Sequence, residues 1–280
     1  ASFSILGDMV QQVGGRRVEV KSLAGPDQDM HTYEPTPKDI RTLSEADLFI
    51  VNGLGFEGWL GKLIESSDYK GKVIIASKGV RALKVEHHDK DEHEDEKEHD
   101  HGEYDPHAWQ ALSNGVIYVN NIVDALVAAD KQNAATYKAN GRLFVKGISD
   151  LEKRVKAQMK LLPDYKRKVI TSHDAFQYYG KTYMIQFIAP VGISTEAEPS
   201  AQDVARLIDQ IRDQHIKALF LENISRPGVL DQLKHEGAEI GGVLYSDSLS
   251  TPEGPAGSYI AMMRHNTALL LAAMQKNPDK

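Results

Sequence analysis

Four residues sit where a chain could hold a metal ion. His31 lies in Asp29-Met-His-Thr-Tyr-Glu-Pro-Thr-Pro37, and His107 in Tyr104-Asp-Pro-His-Ala-Trp109. His173 lies in Val169-Ile-Thr-Ser-His-Asp-Ala175, and Asp247 in Val243-Leu-Tyr-Ser-Asp-Ser-Leu249. Each follows a strand-like run or leads into a helix, which is where open α/β sheets place ligand sites. Two come from each half of the chain. A lone histidine in such a loop is ordinarily a surface residue, so the case rests on the shared setting. His215, His235 and His265 lack it and read as surface residues.

A second feature surrounds one of the four. The stretch EHHDKDEHEDEKEHDHGEYDPHAW, residues 86–109, holds six of the eleven histidines. Residues 86–103 carry ten acids and two lysines, so the remainder of this chain of net charge −7 is close to neutral. His87, His88, His93, His99 and His101 belong to this run, which has too little apolar content to fold on its own. It reads either as a weak, multi-site metal collector or as a solvated loop that binds metal only as any histidine cluster does. No basic face advertises nucleic acid. The chain has no cysteine, so disulfides and thiolate metal sites are excluded and a transition metal must use N and O ligands.

The elements that must position these residues alternate. Apolar, β-branched runs occur at Val18–Leu23, Leu48–Val51, Val73–Ala76, Val169–Thr171, Tyr183–Ile188, Ala218–Leu221 and Ile240–Leu244. Helical spacing lies between many of them, which predicts an α/β fold with mainly parallel sheets and flanking helices. Thr36-Pro37-Lys38-Asp39 and Ser200-Ala-Gln-Asp203 mark helix starts. From Leu112 to Leu162 the strand signal vanishes. A polar break at Asp130-Lys-Gln-Asn133 separates two helical patterns, and Pro163 stops the second. The expected organisation is an N-terminal lobe at 1–130, a long linker helix at 131–162 and a C-terminal lobe at 163–280. A continuous helix bends little, so hinge motion should be limited. No apolar run approaches the ~20 residues of a membrane span. The start at Ala1 reads as a processed or trimmed one, with a targeting segment removed.

With these segments in order, the chain resembles the zinc- and manganese-binding solute receptors of bacterial ABC importers, the cluster A-I or cluster 9 family. MHTYEPTPKDIRTLSEADLFIVNGLGFEGWL, DPHAW, VITSHDAFQYYGKTY and LYSDSLS carry the resemblance, which spans essentially the whole chain. It implies two α/β lobes joined by one long helix, with the metal between them. By motif the ligands fall on His31, His107, His173 and Asp247. The third position is histidine in zinc-type members and often glutamate in manganese-type ones. The usual Asp-Pro-His before the first ligand reads Asp29-Met30-His31 here.

The implied set of three imidazoles and one carboxylate suits Zn²⁺ as cargo and suits Mn²⁺ less. Four protein ligands would close the site, whereas a catalytic zinc keeps an open position for water. Each histidine must be neutral to bind, so affinity should fall as pH drops through ~6.5. Glu198 and Glu222 are candidates to hold the imidazoles from behind. The expected function is a monomeric periplasmic zinc receptor serving an ABC permease in the inner membrane, with a periplasmic zinc chaperone as a further partner. The expected location is the periplasm, with a lipid-anchored extracellular form as the alternative. Rival readings are a manganese receptor, a zinc-binding adhesin or buffer, and a zinc hydrolase. The last lacks a His-Glu-x-x-His helix and a Gly-x-Ser-x-Gly elbow. Ser172-His173-Asp174 are adjacent and cannot face one another as a relay requires.

Overall fold

In the computed structural model the described residues are 1–85, 103–196, 202, 204, 205, 208, 209, 213, 216–224 and 239–278. The histidines of the acidic run, Glu198, His215, His235 and the helix start at Ser200 lie outside them.

Helix α1 (Ser4–Gly14) opens the chain, and α2 (Pro37–Ser44) follows the His31 loop. The start of α2 follows the sequence. Asp39 N–H donates to the Thr36 hydroxyl, and the Asp39 carboxylate accepts from Thr36 N–H at 2.7 Å. This reciprocal cap satisfies amides that a helix end leaves open. Strand β1 (Leu48–Val51), helix α3 (Leu60–Ser67) and strand β2 (Lys72–Ile75) complete a parallel βαβ unit. Beyond the middle helices, α4 (Leu112–Ala129) and α5 (Ala134–Lys160), come β3 (Lys168–Ile170), α6 (Gln177–Tyr183), β4 (Gln186–Ile188), β5 (Ala218–Glu222) and β6 (Glu239–Leu244). The last four strands form one parallel sheet in the order β4-β3-β5-β6. Helix α7 (Tyr259–Met274) closes the fold.

Two expected strands differ. Val18–Leu23 is extended chain without a continuous ladder. Only Ala1 and Ser2 reach it, through Leu23 N–H to Ala1 O at 3.1 Å and Ala24 N–H to Ser2 O at 3.0 Å. A groove of about 590 Å³ runs between this segment and β1, so most of its backbone has no neighbour to pair with. Tyr183 and Met184 are the end of α6 rather than the start of a strand: Met184 has φ +60° and closes the helix in the left-handed region. The strand begins only at Gln186.

The strandless middle is two helices. Helix α4 (Leu112–Ala129) ends at Asp130, which caps a short 3-10 turn by accepting from Asn133 N–H. Helix α5 (Ala134–Lys160) then runs 27 residues, about 40 Å. Its buried stripe is Tyr137, Gly141, Phe144, Ile148, Leu151, Val155 and Met159. These steps of three and four keep one face inward along its full length. That face meets α1 and α4 from the first half and α6 and α7 from the second. The apolar α4, 18 residues long, packs between α1 and α5 as a core helix.

One apolar core consequently serves both lobes, including Phe3, Trp109, Ile148, Tyr179, Phe220 and Met262. We propose the lobe boundaries near Asp130 and Leu162, at the two ends of this strut. The α4–α7 contact is especially close. A Cβ on Gly115 would stand 2.6 Å from the Tyr259 hydroxyl, which is fully buried and donates to Trp109 O at 2.6 Å. Gly115→Ala should therefore lower stability by about 1–3 kcal/mol despite its better helix propensity. Urea unfolding should show a lower midpoint at unchanged slope, and an unchanged midpoint would refute the close-packing account.

Candidate metal centre

The four loops named by the sequence meet at one point. His31, His107, His173 and Asp247 each offer one donor atom, and these atoms lie within 4.8 Å of one another. His31 Nε2 is 3.3 Å from His107 Nε2 and 3.3 Å from Asp247 Oδ2. His107 Nε2 is 3.4 Å from Asp247 Oδ1, and His173 Nε2 is 3.2 Å from Asp247 Oδ2. The three imidazole centroids form a nearly equilateral triangle with sides of 5.4, 5.4 and 5.6 Å. Four ligands placed tetrahedrally about 2.0–2.1 Å from a shared ion are about 3.3–3.4 Å apart. Four of the distances in the cluster have that spacing. Although buried, His173 Nε2 and both Asp247 oxygens form no hydrogen bond. They approach each other without the alignment a hydrogen bond needs, as donors aimed at a common centre do.

Each group is fixed from behind. His107 Nδ1 hydrogen-bonds the Asp105 carboxylate at 2.8 Å, which turns Nε2 toward the centre. His173 Nδ1 lies 2.7 Å from Glu222 Oε2, while Glu222 Oε1 accepts from His173 N–H at 2.9 Å and from the Ser172 hydroxyl at 2.7 Å. The Asp247 loop belongs to the second half of the chain but is gripped by the first. Trp109 Nε1–H and Gln110 Nε2–H both donate to Ser246 O, at 2.9 and 2.7 Å. Phe56 and Trp109 wall the site with apolar rings. The side chains of His107, His173 and Asp247 are at most 2% exposed, against 7% for His31. Access from solvent is therefore on the His31 side.

Sequence reasoning passed over Asp29, Asp105, Trp109 and Gln110. One signal was present: an aspartate stands two residues before both His31 and His107. In each case its carboxylate accepts the histidine amide, at 3.0 and 2.9 Å, the turn this spacing favours. The adjacent Ser172-His173-Asp174 is no relay. Asp174 accepts instead from Gln177 Nε2 at 2.6 Å.

Charge in the metal-free cluster is held by protons. Burial opposes a charge on His107, but Asp247 and Asp105 outweigh it and raise its pKa to about 9. Burial likewise opposes charge on His173, and Glu222 and Asp247 outweigh it, raising the pKa well above the ordinary value. Asp247 is driven well below the carboxylate range because the two imidazolium rings overcome its burial. The window expected from sequence near 6.5 thus moves upward: a metal must displace protons from these rings even at neutral pH.

The same shifts fix how metal-free stability depends on pH. A raised histidine pKa stabilises the fold fully below the unfolded value of ~6.5, and that stabilisation is lost as pH rises through the folded value. For His107 the loss runs to about pH 9. The melting temperature of metal-free protein should fall between pH 6.5 and 9, and the gap to metal-loaded protein should widen. A flat metal-free curve would contradict this account.

Comparison with known proteins agrees with this fold. Residues 1–273 match the family model ZnuA, zinc-uptake complex component A, periplasmic. The iron-binding protein YfeA of Yersinia pestis is 34% identical over 264 residues, covering 94% of this chain and 81% of that protein. A manganese-bound periplasmic metal-binding protein from Candidatus Liberibacter asiaticus superposes with TM-score 0.83 at 30% identity, covering 98% of this chain and 97% of that one. The periplasmic zinc-binding protein TroA from Treponema pallidum superposes with TM-score 0.87 at 25% identity, covering 97% and 96%. With the sequence matched almost end to end, the chain belongs to the ZnuA family of metal-binding receptors for ABC importers, proteins that carry their cargo and do not transform it.

Proposed function

We propose that this protein captures Zn²⁺ between its lobes, with His31, His107, His173 and Asp247 as ligands, and delivers it to an ABC permease in the inner membrane. The observation that carries the reading is the convergence of three imidazoles and one carboxylate within 4.8 Å of one another, with His173 Nε2 and both Asp247 oxygens buried and without a hydrogen-bond partner. Three imidazoles and one carboxylate match zinc in ligand type and number, whereas Mn²⁺ favours more oxygen ligands and six-fold geometry. Acids behind two of the rings fix which nitrogen faces the ion.

A manganese reading has one observation in its favour. Both Asp247 oxygens face the centre, so a bidentate carboxylate would supply a fifth ligand atom. The relatives are themselves named for iron, manganese and zinc. The acidic histidine run belongs to the proposal as a low-affinity collector. Its ends join at a stem where Lys84 bridges Tyr104, one residue from Asp105 and so beside the support of His107. We place the receptor in the periplasm as a monomer, loaded directly or by a zinc chaperone.

Metal content tests the choice of ion. Stripped protein exposed to equal excess zinc and manganese, then dialysed against a weak chelator, should retain about one zinc per chain and little manganese. More than one zinc would mean the acidic run holds its own; manganese in preference to zinc would overturn the zinc reading. His173→Ala should weaken zinc retention on the order of 100-fold or more, beyond what loss of a supporting residue costs. Unchanged retention would remove His173 from the ligand set.

A further inference from the structure

The three imidazoles are not supported alike. His107 and His173 each have a carboxylate at Nδ1. Among the described residues no such group fixes the His31 ring. Its hold is through its backbone: His31 N–H donates to Asp29 Oδ1 at 3.0 Å. The other oxygen of the same carboxylate, Oδ2, accepts from the Thr195 hydroxyl at 2.6 Å. Thr195 lies in the segment that follows β4, in the opposite half of the chain. Four residues upstream, Val191 bridges His173, and Asp174 N–H donates to Gly192 O at 3.1 Å.

One short segment, Val191–Thr195, therefore pairs with the His173 loop at one end and grips the His31 loop at the other. It spans the two halves on the side where His31 gives the centre its access to solvent. We infer that Val191–Thr195 is a strap, and that the Thr195–Asp29 hydrogen bond positions His31 and sets how fast the captured ion escapes. The inference rests on His31 and His173 being ligands. The physical logic is local. Loss of the Thr195 hydroxyl leaves Asp29 free to rotate and releases the turn that carries His31. The two rings with their own carboxylates stay in place. A hydrogen bond to a charged acceptor is worth enough to change an escape rate about tenfold.

The test is zinc transfer from loaded protein to an excess of chromophoric chelator, followed in time. Thr195→Val should release zinc about tenfold faster than the parent, and Thr195→Ser, which keeps the hydroxyl, should restore the parent rate. Asp29→Ala should release faster still, and adding Thr195→Val to it should bring no further change, since both act through one bond. The visible spectrum of the Co²⁺-loaded protein should be the same in Thr195→Val as in the parent, and Gly115→Ala, which costs stability away from the strap, should release zinc at the parent rate. Equal release rates in Thr195→Val and parent would overturn the strap. Release from Gly115→Ala as fast as from Thr195→Val would reduce the effect to a general loss of stability and overturn the strap too. Failure of the ligand reading would look different: the parent itself would not retain one zinc, or His173→Ala would retain it.

Discussion

The Asp247 carboxylate is the group around which the structure is arranged. It is fully buried and faces three imidazoles. An isolated anion in such a place costs several kcal/mol, so something positive must accompany it. The raised pKa values of His107 and His173 let their protons do this in the metal-free protein, and under the proposed ligand set a dication would do it better, because one ion would answer both carboxylate oxygens and every ring. The surrounding layer is consistent with that demand. Asp105 and Glu222 stand behind two rings, adding negative charge at a second remove, while Phe56 and Trp109 keep water away. Selectivity for a divalent cation over a monovalent one follows from this density of negative charge in a dry site.

Bonds between the two halves of the chain keep these groups in register. Trp109 and Gln110 hold Ser246 O, Ser4 Oγ accepts from Leu249 N–H at 2.9 Å, and Asp8 accepts from Tyr259 N–H at 2.8 Å. Every one of these bonds joins the first half of the chain to the last. Together with the continuous stripe of α5, they tie the Asp247 loop to the first lobe more firmly than its place in the chain suggests. Tyr178 adds a further tie, its hydroxyl donating to Asp105 O at 2.9 Å and accepting from Leu83 N–H at 3.0 Å. Large separation of the lobes would break all of these at once, so modest rearrangement of loops is the motion this architecture permits.

Much of this was legible in the sequence. The four donor residues stood out because each occupies a loop at a strand end, a setting that local pattern reveals. The cap at Thr36 and the stripe of α5 were legible for the same reason: both are written in residues three or four apart. What was not legible depends on distant partners. Val18–Leu23 has strand composition, but a strand also needs a neighbour, and only Ala1 and Ser2 supply one. Tyr183 looked like part of a strand because aromatic residues favour both states, and the left-handed turn at Met184 decided otherwise. Asp29 and Thr195 are separated by more than 160 residues, and nothing local to either announces the other.

The spread of the donors along the chain has a consequence for how the molecule is made. His31 and Asp247 are more than two hundred residues apart, and the carboxylate arrives with almost the last segment. Contacts of such long range form late and slowly. Until they form, no stretch of the chain holds the four donors together, and a nascent or half-folded copy has only single histidines and the acidic run to offer. Under the proposed ligand set, a tight grip on the ion would be reserved for molecules that have finished folding, and possession of the cargo would mark a completed receptor.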